Sequence, residues 1–350
     1  MLQTQYSLQQ LGWKTHFNQK LTLEELEPYS PARVTKVFRN RLLVLAEDGE
    51  RDISLSQFPN LNTCTIGDWL LLPQDRQQTA SVLEPFSLFQ QKAPGSHTSP
   101  LIAANVDTAF IVSSCNQDFK LSRIERYLAL AKEADVSPVL MLSKVDMVTD
   151  TQRDAFLAQL HDLEKHMVVL CVNALDETSC APLFDWCQTG QTVVLLGSSG
   201  VGKTSLSNTL CENQALTAGI REDDGKGRHT TTELSLFFTR AGGMILDCPG
   251  MRELQLTDCE EGVKAVFADI AAMAADCKFA NCQHQAEPGC AISAAIDNGL
   301  LDQRRLSNFQ KMLKEQARNS RTLAESHQQD KKLGKLIKSV QSAKRGKFHD

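Results

Sequence analysis

The chain has 350 residues, of which 42% are hydrophobic and 23% charged, a composition typical of a globular protein with two or three domains. It contains no apolar run of about 18 residues, and its first five residues lack the basic start and apolar middle of a signal peptide, so we expect a cytoplasmic protein without a membrane span. The eleven cysteines are odd in number and scattered, which argues against a disulfide framework.

The charge is distributed unevenly along the chain. From Arg304 onward thirteen Lys or Arg residues accompany four Asp or Glu residues, a net charge of +9, and because the whole chain carries −5 the part before Arg304 carries −14. A basic tail on an acidic body predicts contact with a polyanion, such as RNA phosphates, mainly through the C-terminus. A solvated, disordered tail over residues 330–350 is the alternative.

Residues 1–93 are predicted to form an N-terminal extension followed by a small β-barrel of the OB type, with the SH3 type as the alternative. Residues 1–30 show no clear period and stay unassigned. Five short β-type runs then follow within about 55 residues, at 33–38, 41–46, 51–55, 67–72 and 79–83. OB barrels often bind single-stranded nucleic acid, so we interpret this region as an RNA-binding domain. A barrel used only for docking is the alternative, because fold alone does not establish function.

After a linker-like stretch at residues 94–100, strands alternate with helices. The sequence predicts strands at 108–113, 138–142, 167–172, 192–196 and 233–238, and helices from Ser122, at 151–166, at 183–188 and at 205–210. Ser122 with Glu125 three residues later predicts a capping box at the start of the first helix. This alternation predicts a parallel sheet with helices on both faces and ligands at the carboxyl ends of its strands.

The strongest motif follows the strand at 192–196. Gly197 to Thr204 read G-S-S-G-V-G-K-T, the pattern of a phosphate-binding P-loop. Lys203 would reach the β- and γ-phosphates, and the Thr204 hydroxyl would bind Mg²⁺. A glycine-rich turn that matches by chance is the alternative, which the flanking strand and helix disfavour. The predicted nucleotide-binding residues of the loop are Gly197, Ser198, Ser199, Gly200, Val201, Gly202, Lys203, Thr204 and Ser205.

Two other strand ends resemble the base-reading elements of GTPases. The segment Ser143-Lys144-Val145-Asp146 resembles the N-K-x-D motif, with Ser in place of Asn. Asp146 would accept hydrogen bonds from the N1–H and the amine of guanine, and Lys144 would lie along the base. The pair Asn173-Ala174 resembles the third base-contact element, which is usually Ser-Ala. A P-loop ATPase is the alternative that Asp146 disfavours.

Residues after the P-loop predict the magnesium and switch elements of a GTPase. Residues 225–232 form a threonine-rich loop, from which the Thr231 hydroxyl is expected to complete the Mg²⁺ shell; plain β-propensity of the threonines is the alternative. Residues 244–250 read as an apolar strand that ends in D-x-x-G. Asp247 would hold Mg²⁺ through water, and the Gly250 N–H would meet the γ-phosphate.

The order of these motifs is unusual. The base-reading Asp146 and Asn173 precede the P-loop, whereas most GTPases place them after it, so we predict a circularly permuted GTPase domain over residues 101–255. Met251 stands where other GTPases carry a water-orienting glutamine, and because an apolar side chain cannot orient water, intrinsic hydrolysis should be slow. His229 is the nearest candidate for a catalytic residue, with an ordinary loop histidine as the alternative.

A cysteine-rich segment follows the GTPase motifs. Cys277, Cys282, His284 and Cys290 have the spacing C-x₄-C-x-H-x₅-C, a closed set of Zn²⁺ ligands that predicts one structural zinc ion in a helical domain over residues 256–350. Chance clustering of reduced cysteines is the alternative. The other eight cysteines lack such spacing and are expected to be small buried apolar groups.

Together these motifs resemble the bacterial ribosome small-subunit-dependent GTPase A family. The resemblance extends over about residues 30–315 and rests on the β-rich head, Gly67–Trp69, residues 102–107 (I-A-A-N-V-D), residues 123–128 (R-I-E-R-Y-L), the permuted GTPase motifs, G-R-H-T-T-T and the Cys₃His pattern. It implies a monomer that binds 16S rRNA of the small ribosomal subunit through its OB and zinc domains, beside other assembly factors. It further implies subunit-stimulated hydrolysis of GTP to GDP late in assembly. An RNA-binding assembly factor that holds guanine nucleotide with little turnover is the alternative.

Overall fold

The computed structural model describes residues 5–75, 78–90, 100–160, 163, 167–211, 235–247, 259–285 and 287–319. Along these ranges an antiparallel sheet, a mostly parallel sheet and a group of C-terminal helices follow one another. None of the helices within them combines the length and the apolar character that a membrane crossing requires.

The N-terminal part is built on a five-stranded antiparallel sheet. Its strands are β1 (Tyr29–Val37), β2 (Arg41–Ala46), β3 (Gly49–Ser54), β4 (Trp69–Pro73) and β5 (Ser81–Val82), in the spatial order β3-β2-β1-β4-β5. Side chains at alternate positions, such as Ala32 and Val34 in β1 and Leu42 and Val44 in β2, form the core of the sheet. All five predicted strands are present, with ends that shift by a few residues.

Two short helices precede this sheet in the stretch to which the sequence assigned no structure. They are α1 (Thr15–Lys20) and α2 (Leu23–Leu26). Helix α2 begins with a capping box, because the Thr22 hydroxyl accepts a hydrogen bond from the Glu25 N–H while the Glu25 carboxylate accepts one from the Thr22 N–H. Phe17 of α1 is buried against Trp69 of the sheet, so the N-terminal segment belongs to the core.

A buried arginine joins the sheet to the segments before and after it. The Arg33 side chain is fully buried, and its guanidinium donates hydrogen bonds to the carbonyl oxygens of Leu11, at 2.7 Å, and Asn105, at 2.8 Å. Burial lowers the pKa of Arg33 to about 10, while the nearby carboxylates of Asp107 and Asp68 oppose that shift. The Arg33 guanidinium therefore connects β1 to the segment around Leu11 and to the segment around Asn105, which directly precedes the central sheet.

The central sheet has six strands in the order β10-β9-β8-β11-β13-β12. Its strands are β8 (Thr108–Ser114), β9 (Ser137–Ser143), β10 (Val169–Val172), β11 (Thr192–Gly197), β12 (Ser235–Phe238) and β13 (Met244–Asp247). The first five strands of that order are parallel, whereas β12 at the edge is antiparallel to β13. The short connection between β12 and β13 permits only a hairpin, which is why the predicted parallel sheet has one antiparallel edge. A small antiparallel pair, β6 (Leu88–Gln90) with β7 (Leu101–Ala104), precedes it, and the predicted linker between them lies outside the described residues except for Pro100.

Four α-helices accompany the sheet in the described residues: α3 (Leu121–Glu133), α4 (Asp150–Leu160), α5 (Glu177–Cys180) and α6 (Lys203–Leu210). The short helix predicted at 183–188 is a 3₁₀ segment, Ala181–Trp186. The predicted capping box of α3 is wrong: Lys120 is the N-cap residue and makes no side-chain cap bond, while Glu125 points into the protein. The Glu125 carboxylate does not cap the helix because it binds Arg304 and Arg305, which lie about 180 residues further along the chain.

The C-terminal part is helical, as predicted, and packs on α3. Its helices are α7 (Glu260–Val266), α8 (Ala268–Ala275), α9 (Ala291–Asp297) and α10 (Gln303–Asn319). Gly262 of α7 lies so close to α3 that a Cβ atom there would be 2.1 Å from the Ala129 carbonyl oxygen. The Gly262 N–H donates to the Glu133 carboxylate at 2.6 Å, so glycine at this position permits backbone contact between the helices.

A buried ion network reinforces this contact. The Glu125 carboxylate is fully buried and accepts hydrogen bonds from Arg304 and Arg305, each at 3.0 Å, and from the Asn308 amide. Arg305 also binds Asp269 of α8, at 2.9 Å. The carboxylate that the sequence assigned to a helix cap therefore holds α3 to α10.

We expect Glu125→Ala to lower the free energy of unfolding by about 3–5 kcal/mol, because the buried Arg305 guanidinium loses one of its two carboxylates and the buried Asn308 amide loses its acceptor. Urea unfolding followed by circular dichroism measures the change. The matched control is Asp150→Ala, which removes an exposed carboxylate 2.8 Å from Arg153 and should cost no more than about 1 kcal/mol. Equal effects of the two substitutions would contradict a structural role for the buried network.

Candidate functional site

The P-loop lies at the carboxyl edge of the central sheet. It connects β11, which is flanked by β8 and β13, to the first turn of α6. Its three glycines have positive φ angles, 152° at Gly197, 80° at Gly200 and 102° at Gly202. A Cβ atom at Gly197 would lie 2.4 Å from the Val112 carbonyl oxygen, so the loop can approach β8 only with glycine there.

Lys203 folds back over this loop. Its ammonium group donates hydrogen bonds to the carbonyl oxygens of Gly197 and Ser198, both at 2.6 Å. The positive charge is thus held at the loop whose pattern and position at a helix N-terminus suit phosphate groups. Thr204 and Ser205 follow in the first turn of α6, as the sequence predicted.

Ser143, at the end of β9, connects the segment predicted to read the base to the P-loop. Its side chain is fully buried, and its hydroxyl lies 2.6 Å from the Val201 carbonyl oxygen, to which it donates. Lys144 adopts a left-handed conformation with φ of 60°, which turns the chain into the 3₁₀ segment that carries Asp146 with its side chain exposed. The serine in place of asparagine therefore keeps the two motifs together.

The Asn173-Ala174 pair lies beyond β10 and is fastened to the helix after the P-loop. The Thr209 hydroxyl of α6 donates to the Ala174 carbonyl oxygen at 2.8 Å. The Asn173 side-chain oxygen accepts the Leu175 N–H at 3.0 Å, and this local turn holds the segment in place. The structure thus brings together three predicted elements that are far apart in the sequence.

Other predicted site residues lie at or beyond the limits of the described chain. Asp247 is the last residue of β13, the strand beside β11, and is described there by its backbone. His229, Thr231 and Gly250 lie outside the described residues.

A second cluster forms where the C-terminal helices α8 and α9 meet. The ligand atoms of Cys277, Cys282, His284 and Cys290 all lie within 4.8 Å of one another. The Cys277 sulfur is 3.7 Å from the His284 Nδ1 and 4.0 Å from the Cys290 sulfur. Tetrahedral zinc with Zn–S bonds of about 2.3 Å sets its sulfur ligands roughly 3.8 Å apart, so this cluster is compatible with a zinc ion.

The backbone around the cluster turns tightly at two positions. His284 has a φ of 58°, and Gly289 a φ of 78° with Lys278 packed against it. Burial raises the pKa of the Cys290 thiol, but its hydrogen bonds with Ser293, His284 and Cys282 outweigh burial and lower the pKa to about 6. The pKa of Cys282 in the same cluster is raised to about 11: its bond with the His284 backbone lowers the pKa, but burial and its bonds with Cys290 and Cys277 outweigh that bond.

The remaining cysteines behave as predicted where the structure describes them. Seven of the eight are described without a disulfide; all of these are buried except Cys171, which is half-buried, and Cys248 lies outside the described residues.

One residue beside the P-loop was missed by the sequence analysis as a site residue. The Arg123 guanidinium of α3 donates a hydrogen bond to the Ser198 hydroxyl at 2.8 Å. The signal was present in the segment R-I-E-R-Y-L, which served only as a mark of resemblance.

The sequence is similar to a known protein family and to named members of it. Residues 85–257 match the family model described as RsgA GTPase. The chain is 50% identical over 347 residues to the small ribosomal subunit biogenesis GTPase RsgA 2 of Vibrio parahaemolyticus, with 99% of this chain and 96% of that protein covered. It is 40% identical over 318 residues to the small ribosomal subunit biogenesis GTPase RsgA of Mesorhizobium japonicum, with 90% and 91% covered.

Two solved structures share the fold at lower identity. YjeQ from Thermotoga maritima has a TM-score of 0.60 at 23% identity, with 82% of this chain and 98% of that chain covered. YloQ, described as a circularly permuted GTPase, has a TM-score of 0.60 at 23% identity, with 86% and 100% covered.

A parallel-rich sheet with a P-loop after an inner strand, together with the match to a GTPase family model, gives the class: a P-loop GTPase with the fold of a circularly permuted GTPase. The 50% sequence identity to the Vibrio parahaemolyticus protein extends over 99% of the chain and identifies the family within this class. The chain belongs to the RsgA GTPase family, which confirms the resemblance seen in the sequence.

Proposed function

We propose that this protein is a GTP hydrolase that acts in the late maturation of the small (30S) ribosomal subunit and is stimulated by that subunit. The observation that carries the proposal is the 50% identity, over 99% of the chain, to a protein named for small ribosomal subunit biogenesis. Such work on ribosomal subunits would take place in the cytoplasm, with the protein acting as a monomer beside other assembly factors.

In this proposal the predicted strand ends form the GTP site. The P-loop from Gly197 to Ser205 holds the phosphates, with Lys203 at the β- and γ-phosphates. Asp146 reads guanine, supported by the bond that fixes Ser143 to Val201. Lys144, Val145, Asn173 and Ala174 complete the base site.

Metal ions complete the proposed site and the C-terminal fold. Thr204, with Thr231, Asp247 and Gly250, would surround Mg²⁺ and the γ-phosphate, where the ion would neutralise phosphate charge; His229 is the proposed catalytic residue. One structural Zn²⁺ would be held by the four ligands at 277, 282, 284 and 290, whose donor set leaves no position open for water.

We further propose three domains: an OB-type RNA-binding domain at 1–93, the permuted GTPase domain at 101–255 and the zinc-binding domain at 256–350. The strand order β3-β2-β1-β4-β5 supports the OB type, because it becomes a closed Greek-key barrel if β3 and β5 approach each other. The first and last domains would both contact 16S rRNA, aided by the basic C-terminal tail.

The experiment that tests this function is GTP hydrolysis by the purified protein with and without purified small ribosomal subunits. Turnover that rises several-fold with subunits supports the proposal. Nucleotide-dependent binding to subunits without turnover would favour a second candidate function, an assembly factor that only binds guanine nucleotide. Met251 favours this candidate, because it stands where other GTPases carry a water-orienting glutamine. Absence of binding to the subunit would contradict the ribosomal role and leave the GTPase assignment standing.

We expect Asp146→Ala to weaken GTP binding about 10²–10³-fold and to remove most of the preference for GTP over ATP, since two hydrogen bonds to a carboxylate are lost. Competition of ATP and GTP against a fluorescent GTP analogue measures both quantities. The matched control Asp154→Ala removes an exposed carboxylate from α4 and should leave affinity unchanged. Unaltered base preference in the Asp146 variant would show that guanine is read elsewhere.

A further inference from the structure

Helix α3 contacts the P-loop through an arginine side chain. The Arg123 guanidinium donates to the Ser198 hydroxyl at 2.8 Å. Tyr127, one turn further along, is buried and lines the same cavity as Ser198. Ser198 is the first residue after Gly197, so α3 holds the P-loop at the point where it leaves β11.

Within the described ranges Arg123 forms no ion pair. Among the residues that the structure describes, none places a carboxylate oxygen within 4.0 Å of its guanidinium. Arg126, by contrast, binds both oxygens of the Glu315 carboxylate at 2.7 Å. Arg123, with Lys120 and Lys311, borders an open cavity of about 730 Å³ between α3, the P-loop and α10. Because the hydroxyl that binds the Arg123 guanidinium is neutral, it does not offset the positive charge of the guanidinium beside the P-loop.

The position of α3 itself depends on the C-terminal helices. Glu125 lies between Arg123 and Tyr127 in the sequence, and its carboxylate binds Arg304 and Arg305 of α10. Arg123 therefore contacts the P-loop, whereas Glu125 and Arg126 contact the C-terminal part, and Ile124 between them is buried in the core. A shift of α10 relative to α3 would therefore move Glu125, and with it Arg123 on the same turn of helix, which contacts Ser198.

We propose that Arg123 is a positioning residue for GTP hydrolysis, which acts by holding Ser198 and thereby the P-loop, with its own place set by the C-terminal helices. The proposal rests on the proposed GTPase function and adds to it a route from the zinc-binding part to the nucleotide. Small displacements of groups that hold a reacting phosphate have large effects on rate, so a residue outside the P-loop can control turnover.

The test is single-turnover and steady-state GTP hydrolysis by the full chain without ribosomal subunits. We expect Arg123→Ala to lower kcat about 10- to 100-fold, to change KM less than about threefold and to leave the thermal midpoint nearly unchanged. Ser198→Ala should lower kcat to the same extent, and the double variant should be no slower than either single variant. Lys311→Ala, which removes a like charge from the same cavity, is the matched control and should keep wild-type kcat.

Three results would overturn the proposal. They are wild-type kcat in Arg123→Ala, losses that multiply in the double variant, and a fall in kcat that accompanies an equal loss of thermal stability. The comparison uses basal hydrolysis, so it stays valid if the wild-type protein is not stimulated by small subunits. That outcome would count against the ribosomal role alone.

Discussion

Lys203→Ala should lower the kcat for GTP hydrolysis about 10²–10³-fold, the largest effect on activity that we expect from one substitution. The ammonium group is held over the P-loop by two carbonyl oxygens at 2.6 Å. From there it can meet the charge that develops on the transferred phosphate, where a fixed cation stabilises the transition state more than the ground state. The affinity for GTP should therefore fall less than kcat.

Phosphate release measures this effect, and a titration with GTP separates the loss of kcat from that of KM. The control is Lys264→Ala, an exposed lysine that pairs with Glu260 and Glu261 on α7, far from the P-loop in the sequence. Its activity should equal that of the unaltered protein. Full activity of the Lys203 variant would mean that another loop binds the phosphates.

Removal of metal from the Cys₃His cluster should destabilise the C-terminal part by several kcal/mol, because structural zinc contributes about 10–16 kcal/mol of apparent folding free energy in small zinc-finger peptides. The segment between α8 and α9 has little core of its own, and its half-buried ligands Cys277, Cys282 and His284 converge on one point. Cys282→Ser should therefore lose bound zinc and unfold at a lower temperature.

Zinc content by elemental analysis and thermal unfolding before and after a chelator test this expectation. The matched control is Cys259→Ala, which changes a buried cysteine that lies outside the cluster. It should retain one zinc ion per chain, and the chelator should still destabilise it. A metal-free preparation of the unaltered protein with the same thermal midpoint would show that the cluster needs no metal.

Local patterns predicted most of the strands and the position of the P-loop. A short apolar run placed β2 at Arg41–Ala46, and the strand–glycine–helix pattern placed the P-loop, because both depend on neighbours in the sequence. The Cys₃His cluster was predictable for the same reason, since its ligands fall within one short segment.

Contacts between distant residues could not be predicted in this way. Glu125 satisfied the spacing rule of a capping box, yet its partners Arg304 and Arg305 lie about 180 residues further along the chain. The hydrogen bond between Ser143 and Val201 joins residues 58 positions apart. From the sequence alone, Ser143 could therefore be recognised only as a departure from the N-K-x-D motif. Arg123 looked like part of a family signature because its partner, Ser198, comes 75 residues later.

The permuted order also decides how the protein carries mechanical load. The polypeptide enters the central sheet through β8 and leaves it after β13, and these are the two strands that flank β11. A pull that separates the N-terminal sheet from the C-terminal helices would run along both neighbours of the strand that bears the P-loop. Parallel strands resist such a pull in shear, with all of their hydrogen bonds loaded together. The strand that precedes the P-loop thus lies between the two strands that would take this tension.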